Sequence, residues 1–123
     1  EWLRANVQEG ETVYLECIGY IGYFSQAQIL DFPGLVSPKV VEVRKTGNLD
    51  FFQIIPKLNP AWVVARNSPG AVFPPEISEN YVEVADFSRR EAVKKYSGVY
   101  GMSYLDLDSE FKIFHRKGAE LHP

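Results

Sequence analysis

Residues 13–35, VYLECIGYIGYFSQAQILDFPGL, decide how the rest of the chain is read. An apolar run ends in Gly19-x-x-Gly22, a short helical turn follows, and a second apolar run closes on Asp31-Phe32-Pro33-Gly34-Leu35. The order is strand, tight turn, helix, strand, with an acid at the carboxyl end of the second strand. This order predicts a small α/β domain with a concave edge where strands end and a ligand can sit.

Working outward, Trp2 to Val7 reads as a helix stopped at Glu9-Gly10, and Thr12 to Cys17 as the first strand. Gln28 to Phe32 is the second strand. Ser37-Pro38 opens a helix, serine as cap and proline at its first position. Asn48 is set to cap another, whose apolar face is Phe51, Phe52, Ile54, Ile55 and Leu58 and which Pro56 ends or kinks. Ala61 to Ala65 is apolar on both faces, as a buried parallel strand should be. Asn67 to Pro75 is a proline-rich loop, and Tyr81 to Phe87 a fourth strand. In Ser88 to Tyr96, Ser88 and Glu91 have capping-box spacing. Phe111 to Arg116 alternates with period two and reads as a half-exposed last strand, its edge blunted by Lys112, Arg116 and Lys117. The expected fold is one α/β domain over residues 1–123: a small, mostly parallel sheet flanked by helices, with an antiparallel C-terminal strand pair. Val13, Leu15, Ile29, Leu30, Val63 and Val64 should be buried in adjacent strands.

Composition narrows the function. A 123-residue chain allows one domain, and its 46% hydrophobic and 14% aromatic content is enough for a packed core. Net charge is −3 with both signs interspersed, so no nucleic-acid partner is expected. Cys17, the single cysteine, reads as buried packing and builds neither a disulfide nor a multi-cysteine zinc site. His115 and His122 have no partner at metal-ligand spacing, and no cofactor is expected. The acids of Asp106 to Glu110 read as a solvated turn, and Arg89, Arg90, Lys94 and Lys95 as a solvated basic face.

The candidate ligand-binding residues are Gly19, Gly22, Tyr23 and Asp31. The two glycines would let backbone amides approach a phosphate, but the dinucleotide fingerprint lacks one glycine. The plainer reading is a strand-to-helix turn with glycine at positive φ. Asp31 is placed where an acid meets ribose hydroxyls, yet it lies only nine residues past Gly22 where roughly 20 are expected. Its plainer role is to cap the turn at Pro33-Gly34. No nucleophile elbow or triad is found, so no catalytic residue is assigned.

Four stretches carry a family likeness: Gly10-Glu11-Thr12-Val13, Ile18 to Ser25 (IGYIGYFS), Ile29 to Pro38 (ILDFPGLVSP) and Pro60 to Val64 (PAWVV). Together they resemble the soluble C-terminal region of bacterial polytopic membrane proteins of the lipid-linked-sugar glycosyltransferase type (the GT-C, or mannosyltransferase-like, class). The resemblance covers about the first two-thirds of the chain and consists of strand ends and turns. It implies an extracytoplasmic domain at the inner membrane, joined to membrane helices upstream of Glu1, with a lipid-linked sugar as possible partner. The family's catalytic acids lie in its membrane part, so none is carried onto this chain. The domain itself would be non-catalytic and would help position donor or acceptor, with Tyr20, Tyr23 and Phe24 able to stack on sugar faces. The alternative is a free-standing α/β binder of nucleotides or sugar phosphates built on Gly19, Gly22 and Asp31.

Overall fold

A computed structural model of the chain describes residues 1–118 except 17, 69, 102–104 and 107. The readings of Cys17 and His122 lie outside the described residues. The elements run α1 (Trp2–Asn6), β1 (Thr12–Leu15), α2 (Gly19–Ser25), β2 (Gln28–Asp31), α3 (Pro38–Arg44), α4 (Ile55–Leu58), β3 (Trp62–Arg66), α5 (Pro75–Ser78), β4 (Tyr81–Ser88), α6 (Arg90–Lys94) and β5 (Glu110–Arg116). The architecture is a mixed α/β domain: a five-stranded sheet flanked by helices.

The strand order is β2-β1-β3-β5-β4. β1 pairs in parallel with both β2 and β3, whereas β5 pairs antiparallel with both β3 and β4. The C-terminal pair is therefore antiparallel, as expected, but the sheet is mixed and not mostly parallel. The reason lies in β5. It is not an edge: it inserts between β3 and β4, and its Ile113, Phe114 and His115 are all buried. β4 takes the edge with most of its length exposed or half-exposed. A strand apolar on both faces gains more from an interior place than one with a single apolar side. The cations of β5 are engaged by neighbouring elements at the surface. Lys112 pairs with Glu83 and Asp86 of β4, and Arg116 donates to the Asn59 carbonyl.

Two apolar clusters sandwich this sheet. Tyr14, Leu30, Val63, Ala65 and Phe114 face α3, α4 and α5. Val13, Leu15, Trp62, Val64 and Ile113 face α1 and α2. The chain steps from β1 outward to β2 and then back past β1 to β3. With both crossovers right-handed, their helices fall on opposite faces. Five of the six strand residues expected to be buried are so; Ile29 is half-buried beside α2.

Local capping differs from expectation at two helices. Asp50, not Asn48, opens the turn before α4: its carboxylate accepts from the Phe52 and Gln53 amides, and the Gln53 side chain returns to the Asp50 amide. Pro56 therefore sits in the first turn of α4, where its missing N–H costs nothing, and the apolar run from Phe51 is a turn followed by a helix. At α6, Ser88 donates to Glu110 and Glu91 pairs with Lys94, so no capping box forms. Among the described residues no helix is long and apolar enough to cross a membrane.

Candidate functional site

Two opposite crossovers leaving β1 and reaching β3 open a crevice at the carboxyl ends of those strands, the place where open α/β sheets take ligands. Here it is a cleft of about 150 Å³ between Leu15, Glu16, Phe52, Ala65 and Arg66. Phe51 forms part of its wall and is held there by Tyr14. The Tyr14 ring stacks on Phe51 at 4.7 Å, and its hydroxyl donates to the Phe51 carbonyl at 2.9 Å. Burial, reinforced by the Glu16 charge, pushes the Tyr14 phenol far above its ordinary range, so it remains a donor.

Arg66 closes the crevice. Its guanidinium pairs with Glu16 on one side and with Asp108 at 2.9 Å on the other. Two carboxylates on one guanidinium leave this end of the cleft without excess positive charge. It is therefore not built as a phosphate cradle.

A larger groove of about 590 Å³ opens on the α1/α2 face of the sheet. Val64, Phe111 and Ile113 form its floor, and Trp2 and Phe24 stand at its walls. Helix α2 shapes it. Ile18 and Ile21 turn toward the sheet, so Tyr20, Tyr23 and Phe24, spaced i, i+3, i+4, emerge on the outer face. They are 56%, 79% and 59% exposed.

At the opposite end of the strands, Glu11 ties three elements together. Its carboxylate accepts from the Gln8 amide at 2.8 Å and from the Trp62 indole at 2.7 Å, and it faces the buried His115 at 3.8 Å. Burial opposes ionisation of Glu11. The Gln8 amide, the Trp62 indole and His115 together outweigh it and hold the carboxyl below its usual range.

Residues 1–106 match the family model described as a domain of unknown function (DUF8728). The chain belongs to that family. No curated protein and no solved structure matches it.

In this DUF8728 domain the four sequence-predicted residues do not converge. Gly19 and Gly22 lie inside α2, and neither is among the glycines with positive φ. The tight-turn reading is thereby corrected: the chain enters the helix directly through Ile18. Tyr23 projects into solvent with its ring edge-on to Phe24 at 5.1 Å. Asp31 is fully buried, and its two oxygens accept from the Leu35 and Val36 amides. That is the turn-capping role, and it leaves the carboxylate aimed at its own loop. None of the four lines the cleft or the groove.

Arg66, Asp108, Trp2 and Phe111, which do line them, come from three separate parts of the chain. Of these four, Phe111 carried a signal in sequence, as the first apolar position of a period-two strand; Tyr20 and Phe24, which also line the groove, were legible as aromatics beside the glycine pair. Among the described residues no group of three or more metal-ligating side chains is found.

Proposed function

We propose that this domain is a non-catalytic extracytoplasmic module of a membrane glycosyltransferase-like protein that uses lipid-linked sugar donors. In this reading it sits beside the membrane-embedded part and positions donor or acceptor through the outer face of α2. One observation carries it. Tyr20, Tyr23 and Phe24 present aromatic surface to solvent on one helical face instead of joining the core. Contiguous exposed aromatics of this kind mark interaction sites, and their flat faces suit the C–H faces of sugar rings. The polar groups of the nearby crevice are already engaged with one another through Arg66, which fits a surface that holds a ligand without transforming it.

The reading is tested first on the gene. The sequence upstream of Glu1 is expected to encode several long apolar spans, and a start codon directly ahead of Glu1 would refute the membrane assignment. The second test uses the membrane-embedded protein. Tyr23→Ser combined with Phe24→Ser is expected to raise KM for donor or acceptor with kcat unchanged. Unaltered kinetics in a correctly inserted protein would remove the α2 face from the reading.

A further inference from the structure

The groove behind α2 exists because of the topology. On this face the helices α1 and α2 cover the parallel half of the sheet. The antiparallel half is added by β5 and β4, whose connection carries α6 at the strand ends, and among the described residues no helix of that connection joins the apolar cluster on this face. Phe111 is left only half-buried, and Phe87 remains 43% exposed at the groove wall with its ring 6.4 Å from Trp2. An apolar trough of this size is within the range of small-molecule sites.

The charges around it are unequal. Asp108 at the rim is held by Arg66. Arg89, also at the rim, is exposed, and its guanidinium has no ion-pair partner among the described residues. Its neighbour Arg90 is matched by Glu110, and Lys94 by Glu91. The one other charged side chain lining the groove among the described residues is Glu1, at the α1 end. The groove thus joins an apolar floor to a cation at its mouth.

We propose that this groove binds a single-chain amphiphile with an anionic head, its hydrocarbon chain along Val64, Phe111 and Ile113 and its phosphate or carboxylate at Arg89. The groove shares Tyr20 and Phe24 with the outer aromatic face of α2, but the inference does not depend on the glycosyltransferase reading. Each methylene that enters the groove leaves water and adds to affinity. The head group adds orientation and a modest further gain, because Arg89 is solvent-exposed.

The chain carries its own reporter. Trp2 lies in the groove wall and is one of two tryptophans. Decyl phosphate, kept below its micelle concentration, is expected to change the tryptophan emission saturably. Farnesyl phosphate and decanoate distinguish isoprenoid from alkyl chains and phosphate from carboxylate, and saturable binding by either chain type supports the site. Inorganic phosphate alone should give no signal, and decyltrimethylammonium should bind more weakly than decyl phosphate. Arg89→Gln should weaken decyl phosphate by about fivefold and leave decanol unchanged. Phe24→Asp should weaken both. Both side chains are exposed, and matching thermal melts establish that the variants are folded. No saturable binding by any chain, a preference for the cationic amphiphile, or an Arg89→Gln protein that binds decyl phosphate like the wild type would overturn the proposal. Missing membrane spans upstream would leave it standing.

Discussion

Gly34 and Gly22 show how little a glycine says until its backbone is known. Gly34 has φ +77°, and a Cβ built on it would lie 2.8 Å from Val41 Cγ2. Gly34→Ala should therefore destabilise by about 1 kcal/mol or more, seen as a lower melting temperature. Gly22 is helical, and its added Cβ would meet Ile29 at 3.7 Å, an ordinary contact. Gly22→Ala should be neutral or stabilising by up to about 1 kcal/mol, because it removes glycine's excess unfolded-state entropy. Loss of stability in that variant would show that α2 packs more tightly on β2 than these distances allow. Glu11 offers a test in pH. Its folded-state pKa is lowered by the Gln8 amide, Trp62 and His115 against the cost of burial. Its contribution to stability is thus present above the ordinary carboxylate pKa and is lost as pH falls through the lowered folded value. Glu11→Gln should flatten that part of the acid limb of a melting-temperature profile, and an unchanged acid limb would contradict the assignment.

At the scale of elements, the connection between β2 and α3 rests on one buried acid. Asp31 receives two backbone amides, and its own carbonyl receives the Gly34 amide. Asp31→Ala leaves those side-chain contacts unmade and should cost about 2–3 kcal/mol in a denaturant titration. A ligand role for this residue would instead leave stability intact. The turn itself was legible in sequence, since Asp followed by Pro-Gly punctuates a strand. The α4 entry was not legible in the same way. Asn48 and Asp50 are both good caps, and only the reach of the Gln53 side chain back to the Asp50 amide decides between them. In α6, the capping-box spacing of Ser88 and Glu91 loses to pairings with Glu110 and Lys94. Pairing with another strand or along the helix competes with local capping, and sequence spacing does not rank the two.

Across the whole molecule, stability should decline from the centre of the sheet to its edges. β3 lies at the middle of the order, with β1 and β5 beside it, and Val13, Val63 and Trp62 are almost entirely buried there. Native-state hydrogen exchange should be slowest in β1, β3 and β5, faster in β2 and β4, and fastest in α6, which buries no residue. Slow exchange in β4 comparable with β3 would mean that a partner covers that edge in solution. The three-layer arrangement also explains why cleft and groove share Ile21, Val64 and Phe111. Both open where α2 ends its cover of the sheet.

Sequence by itself determined the places of the five strands and the main helices, because apolar runs of strand length, broken by Pro, Gly and Asx residues, are local signals. It also placed the acid that closes β2 and the aromatic spacing of α2. The tertiary structure alone decided the position of β5, and with it the mixed sheet. Strand order depends on which runs bury both faces against distant partners, and period-two alternation in Phe111 to Arg116 does not report that His115 is buried against Trp62 at 4.1 Å. The candidate sites were hidden for the same reason. Arg66, Glu16 and Asp108 meet across separations of 50 and 42 residues, and such a meeting follows from topology and leaves no mark on local spacing.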